Sequence, residues 1–379
     1  MERTVWEKWA DVLIAYSLEV KEGQKLVIVG DPESMPLIDA CYVAGLQKGA
    51  FVEFLATPYH HQELFFKHGH HFEKTHDLWK FAVDSADAYL SIRGASNTRA
   101  LSHYPEEKHQ LVTEAYKPIL NTVLTRAAQG KLRWCTTQFP SASLAQEASM
   151  GSIDYFELAM RAAFLDQADP VSAWRKLKEE QAALVEKLSS GKVLRFINDE
   201  GTDLEVDVSG MQWMNFAGRS NFPDGEVFTG PNLRASNGGV NGTVRVTFPT
   251  IWKQVEVAGI ELKFEGGAVV SSHAEINASF LKSMIEQDEG ARFVGEVALG
   301  TNYGIDIGTK NILFDEKIGG TFHIALGQGY AETGNTNESA LHWDLVTDLR
   351  KSGKIFLDGE LILEKGRFLD PRFPKFYSC

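Results

Sequence analysis

The chain has 379 residues, 44% of them hydrophobic and 23% charged, a length and balance that favour two domains with ordinary apolar cores. Lys and Arg total 38 against 51 Asp plus Glu, a formal charge of −13. That balance argues against nucleic acid as a partner, because such binding relies on basic patches. Cys41, Cys135 and Cys379 are odd in number, far apart and without CxxC spacing, which points to a reducing cytoplasm.

The opening MERTVWEKWADVLIAYSLEV mixes charge with apolar residues at helical spacing. It reads as a helix, neither a signal peptide nor a membrane span, so no membrane partner is expected. KLVIVG follows as a short apolar strand, then PLIDACYVAGLQKGA as a helix, FVEFLA and ADAYLSI as strands, a helical stretch from about Pro105 to Gln129, and KLRWCTTQF as a further strand. Strands separated by helices predict parallel βαβ units. The loop after the first strand is GDPESMP, so the glycine pattern of a dinucleotide site is missing.

Asp169 as N-cap and Pro170 at the first helical position open a helix that stops at Ser189-Ser190-Gly191 and is expected to bridge the domains. Beyond it the texture changes. KVLRFIND, TDLEVDVSG, GTVRVTF, ELKFEGGAVVSS and KIFLDGELILEKG tend to alternate every second residue and carry Gly-Gly or Asp-Gly turns, with one helix at INASFLKSMIEQDEGA. The residues therefore predict an α/β domain with a mainly parallel sheet over 1–190 and a β-rich α+β catalytic domain over 191–379.

Six of the eleven histidines fall between His60 and His76, in YHHQELFFKHGHHFEKTH. The stretch predicts an exposed amphipathic helix broken at Gly69. It lacks the paired i, i+4 histidines and third carboxylate of a helical zinc site, and Glu63, Lys67, Glu73 and Lys74 are what a solvated face carries.

Four later segments differ in character. NFPDGEVFTGP places Glu226 where a turn runs into an apolar strand, on a rigid element suited to a precise site. FVGEVALG holds Glu296 as its sole charge, and a glutamate so placed calls for a cation nearby, either a metal or a side chain such as Arg292 or Lys317. TFHIALGQGY contributes His323 and Tyr330. In LHWDLV, His342 and Asp344 fall on one face of a strand, either as ligands or as a structural hydrogen bond. Three carboxylates, two imidazoles and a phenol are a suitable set for two divalent ions sharing a carboxylate and a water. Oxygen and nitrogen donors suit zinc, cobalt, manganese or magnesium.

NFPDGEVFTGP, GARFVGEVALG, DEKIGGTFHIALGQGY and NESALHWDLV, in that order, resemble the M29 thermophilic aminopeptidase family of metallopeptidases, as do AYSLEVKEGQKLVIVG and FPSASLAQEASM. By motif, the resemblance implies metal ligands at Glu226, Glu296, His323, His342 and Asp344, with Tyr330 as the site tyrosine. Gly230, where Ser or Ala is more usual, and Ser141, where Thr is more usual, depart from the pattern. The resemblance also implies a homodimer whose active sites face an enclosed space that admits short peptides.

The expected activity is removal of the N-terminal residue from a short peptide with a free amine, using two metal ions. Glu226 is the expected bridging ligand, on its turn placement. Glu296 is either a ligand or also the general base, and Tyr330 is an oxyanion donor, a ligand or a packing residue. A metal-dependent dipeptidase or amidohydrolase would use the same ligands, and a non-catalytic metal- or peptide-binding protein is the alternative from another class.

Overall fold

The computed structural model describes residues 4–375, so Cys379 lies outside the described residues. The chain divides into two compact units, one running to Ser172 and including Gly218–Pro223, the other comprising Ala173–Ala217 and the chain from Asp224 onward.

The first unit is built on a five-stranded parallel sheet. Its order is Phe51–Ala56, Lys25–Gly30, Ala88–Arg93, Arg133–Gln138 and Asn221–Phe222. The four long strands and the helices Met35–Gln47 and Glu106–Ala128 lie where alternating apolar and helical patterns place them. Asn221–Phe222 is a late addition from a segment that short-range pattern assigns to the second half. Val27, Val29 and Tyr89 pack with Ile119 and Val123 of the long helix, so one sheet face is covered by helix. The opening helix is α-helical only over Val5–Asp11 and continues as a π-helix over Val12–Ser17.

The helix Tyr59–His68 stops at Gly69, and His60, His61, His68, His70, His71 and His76 are all exposed. The apolar side of this region turns inward instead: Phe66 and Phe72 are buried and their rings meet at 5.8 Å.

The helix Pro170–Ser189 starts as its residues predict, the Asp169 carboxylate accepting the Ser172 N–H at 3.1 Å. All but its first turn is counted with the second unit, because Leu184 and Leu188 belong to that unit's core. The division into compact units falls between Ser172 and Ala173, with 218–223 returning to the first unit.

The second unit holds an eight-stranded antiparallel sheet, from Ala268–His273 at one edge to Arg367–Phe368 at the other. A five-stranded antiparallel sheet runs Met214–Phe216, Glu226–Thr229, Val294–Gly300, Thr321–Gly327 and His342–Asp348. The two sheets share one core, where Phe196 of the first stacks on Phe322 of the second at 4.1 Å between centroids. The helix INASFLKSMIEQDEGA is confined to Ala278–Ile285.

Candidate metal centre

The five-stranded sheet has one greasy face and one charged face, and strand periodicity decides which residue goes where. Val227, Val297, Leu299, Phe322, Ile324, Leu326, Trp343 and Leu345 all join the core. The residues between them face the other way.

Register then assembles the charged set. Glu296 pairs with Ala325, and Ala325 with Asp344, so two carboxylates flank one small residue across three strands. Two positions along, Ala298 pairs with both His323 and Phe228, while Glu226 pairs with Gly300. Ala298 and Ala325 thus put only methyl groups between the charged side chains, while at Gly300 the place of a Cβ is taken by the Ile318 carbonyl oxygen. A bulge between Val294 and Glu296 sets where Glu296 falls. Gly295 permits it, because a Cβ there would run into the Gln328 and Gly327 carbonyl oxygens.

The resulting contacts converge. Glu296 Oε1 lies 3.2 Å from His323 Nε2, and its Oε2 lies 3.8 Å from His342 Nε2. His323 Nε2 is also 3.6 Å from Glu226 Oε2, and His342 Nε2 is 3.5 Å from Asp344 Oδ1. His342 Nδ1 bonds to the Gln328 carbonyl at 2.8 Å, so Nδ1 carries a proton there and Nε2 faces the carboxylates, as a donor to them when protonated and as a ligand when not.

Among the described residues, three groups bring ligand atoms within 4.8 Å of one another: Glu226–Glu296–His323, Glu296–His342–Asp344, and Glu316–His323–Asp344. The first two contain all five expected ligands, and Glu296, rather than Glu226, is their shared member. Glu316 is an addition that pattern alone did not single out. It sits in ILFDEKIGG between Asp315 and Lys317, where three charges in an apolar setting are a legible signal.

The electrostatics call for a cation. Burial would lower the His323 pKa, yet its hydrogen bond to Glu296 and the charges of Glu226 and Asp344 raise it to about 9. His342 is likewise raised to about 10, with Asp344 outweighing burial. Burial pushes Glu226 up to about 8 against the pull of Lys317. Glu226 Oε2 and His323 Nδ1 are buried with no hydrogen-bond partner among the described residues. An oxygen- and nitrogen-rich set that draws positive charge and keeps buried donor atoms uncommitted fits a hard or borderline divalent ion.

Lys317 stands at 2.5 Å from Glu226 and 2.5 Å from Glu316, so the side-chain cation weighed for Glu296 serves other carboxylates. Glu296 faces the two histidines instead. Gln181, fully buried in the Pro170–Ser189 helix, donates to the carbonyls of Glu226 and Phe216 at 3.0 Å and to Thr301 Oγ1 at 2.8 Å. Nothing short-range marks that glutamine as part of a site.

Tyr330 lies at the edge of the cluster, 43% exposed, its ring 5.3 Å from those of His342 and Phe228. Burial and the nearby carboxylates of Glu296 and Asp344 raise its pKa, which keeps the phenol protonated. At Gly230 a Cβ would collide with Asn335, whose side-chain amide donates to the Pro231 carbonyl at 3.1 Å. Asn335 therefore fills the space that a larger residue at 230 would need. In the first unit, Ser141 Oγ donates to the Ala95 carbonyl at 2.8 Å.

Carboxylates and imidazoles gathered on one face of an antiparallel sheet, with Glu226, Glu296 and His323 buried and His342 and Asp344 partly so, are the ligand set of a metal-dependent enzyme. Residues 3–368 match the family model described as thermophilic metalloprotease (M29), and the chain belongs to this family. It is 29% identical to aminopeptidase T of Thermus aquaticus, over 95% of each chain. It is 30% identical to aminopeptidase T of Thermus thermophilus over 86% of this chain and 85% of the relative, and 27% identical to aminopeptidase 2 of Geobacillus stearothermophilus over 86% and 83%.

Among solved structures, wild-type AmpT from Thermus thermophilus superposes with a TM-score of 0.81 at 24% identity, covering 97% of this chain and 99% of that one. A 2,5-dihydroxypyridine dioxygenase from Pseudomonas putida KT2440 superposes at 0.60 with 16% identity, over 97% of each. These likenesses establish the fold. One fold bearing two differently named enzymes leaves function to be argued from the site. Among the described residues no helix is long and apolar enough to cross a membrane.

Proposed function

We propose that this metallopeptidase is an aminopeptidase that hydrolyses the N-terminal peptide bond of short peptides with a free α-amine, using two divalent cations. The observation that carries the two-cation reading is the sharing of Glu296 between the groups Glu226–Glu296–His323 and Glu296–His342–Asp344. Glu226 and His323 would hold one cation and His342 and Asp344 the other, with Glu296 within reach of both. The divalent ions, whether zinc, cobalt, manganese or magnesium, supply Lewis acidity that makes water nucleophilic near neutral pH and the peptide carbonyl electrophilic.

The chain's own residues do the rest. The Gln328 carbonyl holds His342 in the tautomer that presents Nε2 to the site. Tyr330, kept protonated and sited beside His342, donates a hydrogen bond to the oxyanion that develops on the attacked carbonyl. A homodimer and a cytoplasmic setting belong to the same proposal. Cys41 and Cys135 are buried as thiols, which supports the reducing compartment.

The test is a metal-reconstituted assay on dipeptides and aminoacyl reporter substrates, each compared with its N-acetylated form. Cleavage confined to the free-amine substrates is expected. Equal turnover of the acetylated forms would replace the aminopeptidase with an amidohydrolase.

A further inference from the structure

Lys317 is 1% exposed, and its ammonium is encircled by acid. Nζ lies 2.5 Å from Glu226 Oε1, 2.5 Å from Glu316 Oε1 and 3.8 Å from Asp224 Oδ1. A cation this deep is costly to desolvate, and it persists because carboxylates compensate it. With its N–H bonds directed at these side chains, Lys317 is committed to the protein and not to a substrate.

Its effect on Glu226 is one-sided. Oε1 is taken by the ammonium, while Oε2 has no hydrogen-bond partner among the described residues and lies 3.6 Å from His323 Nε2. A carboxylate pinned through one oxygen has only the other to offer a cation. Gln181 holds the same residue by its backbone carbonyl. Glu226 is thus fixed at both ends.

The charge of the site follows a similar logic. Asp224, Glu226, Glu296, Glu316 and Asp344 are five acidic side chains gathered around the cluster. Asp315 is spoken for by the Thr309 N–H at 2.7 Å and hydroxyl at 2.8 Å. Lys317 is the side-chain ammonium that Asp224, Glu226 and Glu316 share within this acid-rich cluster.

We infer that Lys317 is a positioning residue of the metal centre, which leaves Glu226 a single oxygen to offer a cation. This inference rests on the two-cation reading above. Loss of the ammonium frees Glu226 to rotate and leaves three carboxylates facing one another. The damage is expected at the cation held by Glu226 and His323, while the one held by His342 and Asp344 is spared.

The experiment is a titration of metal-stripped full-length protein with zinc, read by bound-metal content, and with cobalt, read by its visible absorption. Wild-type protein should take up two ions. Lys317→Met should weaken one of them by about 10–100-fold, as loss of an outer-sphere partner commonly does, and change the other by less than about threefold. The cobalt spectrum should lose one component, and Lys317→Arg should restore part of it. In a Glu226→Gln background, Lys317→Met should add little, because the two residues act as one coupled pair.

Two-ion binding at wild-type affinity in Lys317→Met overturns the inference alone, as does equal weakening of both ions in a folded variant or simple additivity with Glu226→Gln. A wild type that takes up only one ion overturns the two-cation reading and this inference together. Where Lys317→Met misfolds, the charge-balanced Asp224→Asn/Lys317→Met decides. Selective loss of one ion supports the positioning role, and wild-type binding of both overturns it.

Discussion

His342 Nδ1 lies 2.8 Å from the Gln328 carbonyl oxygen, and this bond turns Nε2 toward Asp344 and Glu296. An imidazole held at one nitrogen offers the other at a defined angle, which metal sites commonly exploit. The two residues are brought together where strands Thr321–Gly327 and His342–Asp348 pair, Gly327 lying opposite His342.

His342→Ala should therefore fold, bind less metal and lose nearly all activity, and Glu226→Gln should do the same. Metal content by elemental analysis, together with initial rates at saturating zinc or cobalt, is the measurement. Full turnover with normal metal content in either variant would remove that residue from the site.

Tyr330→Phe separates three roles for the phenol. As an oxyanion donor the hydroxyl acts in the transition state, so kcat should fall by about 10²–10³-fold while KM and metal content barely move. Phe preserves the ring contacts to Phe228 and His342. Recovery of rate at high metal concentration would instead make Tyr330 a ligand, and an unimpaired kcat would leave it a packing residue.

Metal removal should cost stability. The carboxylates of Glu226, Glu296 and Asp344 crowd together, and a cation that binds only the folded chain stabilises it by about 2.7 kcal/mol at a hundred times its Kd. A chelator should lower Tm, and excess zinc, cobalt or manganese should restore it in a concentration-dependent way. A Tm indifferent to both treatments would contradict a tightly held ion.

The histidine-rich surface should be dispensable. Replacing His68, His70 and His71 together with Gln alters exposed positions only, where substitutions usually shift stability by under about 0.5 kcal/mol. Activity should change by less than about threefold. A collapse of activity rescued by added metal would move the metal centre to this stretch.

Much of the architecture is legible along the chain because it is local. Apolar periodicity places the Lys25–Gly30 and Ala88–Arg93 strands, and Asp169-Pro170 marks a helix start, since each depends on residues a few positions away. The chemical character of the site is legible for the same reason. Glu296 alone in FVGEVALG, and His342 two positions from Asp344, announce polar side chains that strand geometry must place on one face.

What the tertiary structure alone decided is who meets whom. The bulge at Gly295 and the pairing of Ala325 with both Glu296 and Asp344 are matters of register between distant strands. They bring Glu296 within reach of both histidines, a meeting that turn placement alone does not reveal. Lys317 finds Glu226 and Glu316 instead of Glu296, Gln181 reaches the site from a helix, and Asn221–Phe222 joins the first unit's sheet. These partnerships are non-local. A strand's own pattern says which face a side chain takes, but only the packing of other strands and helices against it says which charge lies opposite.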